Sequence, residues 1–230
     1  MKRREFSLLT GGATVAAGAL WSASALAQTK AKAKPETAAP ESIKVVAGTD
    51  YVLLDPQAPV EAPAGKIEVV EFFWYNCPHC SAFEPLLAGW IKTLPKDIAF
   101  RRAPVAFRDE FVPQQRLYFA LEAMGLVEKL HAKVFTAIHV EKLDLSKVAA
   151  ITDWVVKQGV DKAKFTEQYN SFSVATKSTK AAQLQNAYKV EGVPALGVAG
   201  RFYVDGTLAK GMDRALKVVE SLAAGIRSGK

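Results

Sequence analysis

The stretch Ile67-Glu68-Val69-Val70-Glu71-Phe72-Phe73-Trp74-Tyr75-Asn76-Cys77-Pro78-His79-Cys80 decides the fold. From Lys66 to Tyr75 it is almost continuously apolar, as expected of a central strand covered on both faces. Asn76 and Pro78 stop the strand. From Ser81 to Thr93 the apolar residues Phe83, Leu86, Leu87, Trp90 and Ile91 fall at helical spacing, so the cysteine pair sits at a strand-to-helix junction.

Working outward, Ile43–Val46 and Tyr51–Leu54 predict an edge strand and a turn ahead of the core. Ile98–Phe107 predicts a strand after the Pro95-Lys96-Asp97 turn. Helical spacing follows over Gln114–Met124, Val127–His139, Leu145–Gln158, Lys162–Asn170 and Val174–Tyr188, punctuated by Gly125, Gly159 and acidic or serine caps. Ala195–Val198 and Gly200–Val204 then predict a hairpin, and Asp213 is expected to cap a last helix ending near Ile226. The order implies an α/β core in which an all-helical insertion separates a βαβ half from a ββα half. The expected division is 43–108 and 190–230 for the two parts of the core and 109–189 for the insertion.

The first 27 residues have the form of an export signal: Lys2, Arg3 and Arg4, a weakly apolar stretch, then Ala25-Leu26-Ala27 as a cleavage site. Arg3-Arg4-Glu5-Phe6-Ser7-Leu8 also resembles a twin-arginine signal, which would mean export after folding. Leu8–Leu26 is interrupted by Gly11, Gly12 and Gly18, short of the roughly 20 apolar residues of a spanning helix. Residues 28–42 alternate Lys, Ala, Pro, Glu and Thr without an apolar period, the composition of a flexible leader. Half of the 230 residues are apolar, which excludes a disordered chain. The signal accounts for +2 of the formal charge of +7, and the remaining +5 forms no Lys/Arg block of the kind that binds nucleic acid.

The chain has only two cysteines. Two cysteines in an exported chain would ordinarily form a structural bridge, but closing so small a loop removes little entropy from the unfolded chain. The bond is better understood as one meant to open. A thiolate attacks a disulfide, so a working cysteine needs surroundings that favour negative charge. Cys77 is expected at a helix N-terminus, Pro78 suits the first helical position, and His79 adds a positive neighbour when protonated. Stabilising the thiolate stabilises the reduced protein and makes the oxidised form an oxidant. Cys77 is the expected exposed nucleophile, and Cys80, one turn on, the more buried resolving thiol. A zinc site would need a second ligand pair, and only His79, His131 and His139 remain, so no metal or cofactor is expected. His131 and His139, eight residues apart, could share a helix face as satisfied core or surface histidines.

Glu71-Phe72-Phe73, Cys77-Pro78-His79-Cys80, Phe83-Glu84 and the distant Gly192-Val193-Pro194-Ala195 together resemble the DsbA family of the thioredoxin superfamily, over about residues 43–228. The resemblance implies a periplasmic oxidase that donates its disulfide to reduced exported proteins through a mixed disulfide at Cys77 and is reoxidised by a membrane partner resembling DsbB; a monomer is expected, since the sequence shows no dimerisation element. It implies that Pro194 is a cis-proline facing the cysteines, with Val193 offering backbone groups to an extended substrate. It also implies that Glu71 is a buried acid of raised pKa that moves the proton of Cys80. Two features depart from the family pattern. Ala195-Leu196-Gly197-Val198-Ala199-Gly200 is small and weakly polar, and Pro85, expected to kink the helix, is more reminiscent of thioredoxin itself. The competing functions are a disulfide isomerase or reductase, and a chaperone-like binding module with an unreactive pair.

Overall fold

The computed structural model describes residues 43–229; the expected export signal and leader lie outside them. Five strands, β1 (Val52–Leu53), β2 (Ile67–Phe73), β3 (Ile98–Pro104), β4 (Ala195–Val198) and β5 (Phe202–Asp205), form one sheet in the order β1-β5-β4-β2-β3. β2 runs parallel to β3 and antiparallel to β4, and every one of its seven residues is buried. This is the environment its unbroken apolar run requires.

Helix α1 (Pro78–Ile91) links β2 to β3, and α7 (Met212–Arg227) closes the chain. Phe83, Leu87 and Trp90 of α1 and Leu216, Val219 and Leu222 of α7 pack with Ile67 and Val69 on one sheet face. On the opposite face Val70 and Phe72 meet Leu184 and Tyr188, at the end of α6 (Phe172–Ala187). Between β3 and β4 also come α2 (Val112–Ala123), α3 (Val127–His139), α4 (Val148–Lys157) and α5 (Lys162–Tyr169). A third cluster joins Phe73, Tyr75, Cys77 and Cys80 to Leu117, Leu130, Phe135 and Trp154 of these helices. The end of β2 therefore leaves the sheet core and enters a helical one.

Several local expectations are corrected. Ile43–Val46 is not a strand; its chain is tied down by the amide of Ile43 donating to Ser221 Oγ at 3.0 Å, and only an isolated Ala47–Tyr51 bridge precedes β1. β3 ends at Pro104, short of Phe107. Asp213 lies in the first turn of α7, whose cap is Gly211. Pro85 lies inside α1, which runs through it without ending. Of the caps expected in the helical stretch, Asp161 and Ser171 accept from the amides of Lys164 and Val174. Gly125 and Gly159 follow their helices with positive φ, which glycine adopts without strain.

The small residues after Pro194 have a packing cause. A Cβ at Gly197 would run into the Tyr188 ring and stand 2.7 Å from Val70 Cγ1. Tyr188 in turn accepts the amide of Gly200 at 2.9 Å. Gly197→Ala is expected to destabilise the protein by about 1–3 kcal/mol, because the over-packed ring must shift; denaturant unfolding measures this, and an unchanged midpoint would show that the ring relaxes freely.

Candidate active site

The β2–α1 junction holds Cys77 at the N-cap of α1 in an extended conformation, with Pro78 at the first helical position. Its amide donates to the carbonyl of Trp74 at 3.0 Å, and its carbonyl accepts the amide of Ser81 at 3.1 Å. The thiol donates to the carbonyl of Val193 at 3.3 Å, and the Val193–Pro194 peptide bond is cis. Cys77, Cys80, Val193 and Pro194, separated by more than a hundred residues of sequence, thus meet at one point. Beside them a groove of about 380 Å³ is lined by His79, Val193, Pro194, Asp205, Gly206 and Met212.

Cys77 is less accessible than expected of an exposed nucleophile. It is 8% exposed against 1% for Cys80, while Pro78 and His79 beside it are exposed. The two sulfurs are not bonded to each other in this structure. The thiol of Cys77 is lowered to about 6, first by a hydrogen bond from Cys80; burial opposes this, and the amides of Cys80 and His79 and then the charge of His79 assist. The sequence suggested the helix terminus and His79, and missed the larger contribution of the second thiol. Burial, followed by the hydrogen bond to Cys77 and its charge, pushes Cys80 far above the ordinary thiol range. One sulfur is built to ionise and the other to keep its proton.

Glu71, on β2 ahead of the pair, is 1% exposed, and its charge acts on Cys80. Burial pushes its carboxyl up to about 8, although Arg102 works in the opposite direction; the negative charge of Glu84 adds to the rise. Arg102 Nε donates to Glu71 Oε2 at 2.9 Å, and its terminal nitrogen donates to Glu84 Oε1 at 2.9 Å. Glu84 faces burial too, but the nearby His131 and Arg102 hold it below the usual carboxylate range. Arg102 and the part played by Glu84 were not anticipated. The signal was present: two arginines in the otherwise apolar β3, beside a strand carrying Glu68 and Glu71, with Glu71 and Arg102 directly in register.

Three side chains of the helical stretch hold the loop before Cys77. Tyr75 OH and His131 Nδ1 are 2.9 Å apart, His139 Nε2 is 2.8 Å from the Tyr75 carbonyl, and Gln114 donates to Asn76 Oδ1 at 2.8 Å. The two histidines do share a face of α3, on either side of Phe135. Phe72, Phe73 and Tyr75 are core residues, and Trp74, stacked on Phe111 at 3.7 Å, is partly exposed.

Residues 68–220 match the DSBA-like thioredoxin domain. The chain belongs to this family. It is 40% identical over 205 residues to the thiol:disulfide interchange protein DsbA of Burkholderia cepacia, an alignment covering 89% of this chain and 93% of the relative. The DsbA of Bordetella parapertussis is 46% identical over 174 residues, covering 75% and 82% of the two chains. The crystal structure of Pseudomonas aeruginosa DsbA matches with a TM-score of 0.77 at 40% identity, covering 80% of this chain and 96% of that one. The DsbA-type fold is thus the thioredoxin-like arrangement with a helical insertion, and the chain is a thiol:disulfide oxidoreductase.

For this DsbA-family site, the alkylation rate of Cys77 should rise as pH increases through about 6, because only the thiolate reacts. Cys80→Ala should move that midpoint upward by about one unit or more, and His79→Ser by less. Rapid-quench alkylation against pH measures both, and a larger effect from His79 would refute the dominance of the Cys80 hydrogen bond.

Proposed function

We propose that this chain donates its Cys77–Cys80 disulfide to reduced exported proteins in the periplasm. The observation that carries the proposal is the opposed ionisation of the two sulfurs, since a thiolate held stable at Cys77 favours the reduced protein and weakens its disulfide. A substrate thiolate attacks Cys77 Sγ, forming a mixed disulfide, and the S–S electron pair leaves on Cys80. The Glu71 carboxyl, protonated at neutral pH, supplies the proton that Cys80 retains. A second substrate thiolate then attacks the substrate sulfur and expels Cys77 as its thiolate, so that two substrate thiols become one disulfide and the enzyme becomes a dithiol.

In this reading Pro78 starts the helix and His79 contributes the last increment of positive charge. Val193 and Pro194 present backbone to an extended substrate segment laid along the groove lined by Gly206 and Met212. Reoxidation falls to a membrane partner resembling DsbB, and the enzyme works as a monomer after removal of residues 1–27. No described helix is long and apolar enough to cross a membrane. An isomerase or reductase would need a less stabilised Cys77 thiolate.

Equilibration of the mature protein with glutathione at graded ratios should give a couple far more oxidising than thioredoxin, whose potential is about −270 mV. A potential near that of thioredoxin would exclude the donor role. Glu71→Gln should slow reduction of the disulfide by dithiol substrate about ten-fold or more at neutral pH, by removing the proton source; stopped-flow fluorescence reads the rate, and an unaltered rate would remove Glu71 from the mechanism.

A further inference from the structure

Two carboxylates share the single guanidinium of Arg102, yet the proposed mechanism needs Glu71 to be the one that keeps a proton. Arg102 alone does not decide between them, since it reaches each at 2.9 Å. The difference lies on the far side of Glu84. His131 Nε2 stands 3.3 Å from Glu84 Oε2, within ion-pair distance but outside hydrogen-bond geometry, and neither buried atom has a hydrogen-bond partner among the described residues, so each is the other's nearest polar complement. Among the described residues Glu71 has Arg102 as its only side-chain hydrogen-bond partner.

We propose that His131 is a positioning residue for disulfide exchange, which holds Glu84 as the ionised partner of Arg102 and so leaves Glu71 as the protonated carboxyl that acts on Cys80. The proposal deepens the donor role and rests on it for the use made of that proton. The imidazole suits the task through its two nitrogens. A carboxylate can only accept, so Nε2 carries the ring proton toward Glu84. Nδ1 is then an acceptor, and Tyr75 OH donates to it at 2.9 Å. The ring is 4% exposed, and its burial lowers its affinity for a second proton, so it works as a neutral donor and acceptor.

The charged and titratable groups around His131 come from every neighbouring element: Tyr75 from the loop before α1, Glu84 from α1, Arg102 from β3, Tyr118 from α2 and Glu128 from α3. Those that act on Glu71 are Arg102 and Glu84, and Glu71 in turn acts on Cys80. A donor withdrawn from Glu84 raises its proton affinity. Arg102 then serves Glu71 more fully, the repulsion from Glu84 falls, and Glu71 releases its proton at lower pH.

A pair of substitutions separates the two sides of the ring. In His131→Gln the amide group reaches the place of Nε2 and can donate to Glu84; in His131→Asn it reaches only the place of Nδ1 and the contact with Glu84 is lost. The measurement is the pH titration of the Glu71 and Glu84 side-chain carboxyl resonances in the reduced mature protein labelled with 13C-glutamate, assigned with Glu71→Gln and Glu84→Gln. His131→Asn should lower the Glu71 midpoint by about one pH unit or more and raise that of Glu84, while His131→Gln should keep both near wild type. Equal Glu71 midpoints in the two variants would overturn the proposal and leave His131 a packing residue. The 15N resonances of His131 in the wild type test it without a substitution: the Nε2–H tautomer is expected, and an Nδ1–H tautomer would overturn it. A reducing potential in the glutathione experiment would remove the donor role but leave these titrations unaffected, so the two failures are distinguishable.

Discussion

Unequal desolvation of two sulfur atoms, three residues apart on one helix, is the constraint on which the rest of the site depends. Cys77 sits at the open end of α1, where amide groups without helical partners point toward it, and Cys80 sits one turn deeper with almost no contact with solvent. Their proton affinities therefore move in opposite directions. Each also acts on the other, because the Cys80 thiol that cannot ionise is free to donate to the Cys77 thiolate. The more deeply buried sulfur thus creates much of the reactivity of the one at the helix end, and this is why the pair, and not Cys77 alone, is the functional unit.

Such a gradient requires a low-dielectric wall on the Cys80 side, and the sheet by itself does not provide it. Phe73 and Tyr75 pass beyond the sheet into the cluster formed with Leu117, Leu130 and Phe135. The helical stretch therefore closes over the far end of β2 and over Cys80. Putting Glu71 and Glu84 in the same region is costly unless they are paired and hydrogen-bonded. Arg102 meets this requirement for both, and since one cation cannot fully compensate two carboxylates, the cluster retains a proton. The same burial that sets Cys80 apart from Cys77 thus also keeps an acid protonated beside it.

Much of this was legible in the sequence because it depends on local pattern. The apolar run of β2, its stop at Asn76, the helical spacing after Ser81 and the glycines after α2 and α4 are each dictated by residues close in the chain. Glu71 is the one charge in Val69–Tyr75. What escaped was set by register and by distance. Ile43–Val46 has strand composition but no strand partner, its first amide bonding instead to Ser221. Arg102 gains its meaning only when β3 lies parallel to β2 and brings it opposite Glu71. His131 and His139 were readable as sharing a helix face, but their common target, Tyr75, is more than fifty residues away. The accessibility of Cys77 was overstated because helix position speaks to charge, whereas cover by Val193 depends on a loop 116 residues further on.

The choice of histidine at position 131 follows from the charge already in the cluster. A lysine there would bring a second full cation beside Arg102, enough to ionise both carboxylates and remove the retained proton. Leucine would leave the Tyr75 hydroxyl buried without its partner, at a cost of about 1–3 kcal/mol, and would take away the polar group that faces Glu84 Oε2. A neutral imidazole supplies one donor and one acceptor in fixed opposition and adds no charge. It therefore satisfies the loop that presents Cys77 and the carboxylate that competes with Glu71 in one side chain. Position and protonation at the two ends of the site are in this way tied to the same ring.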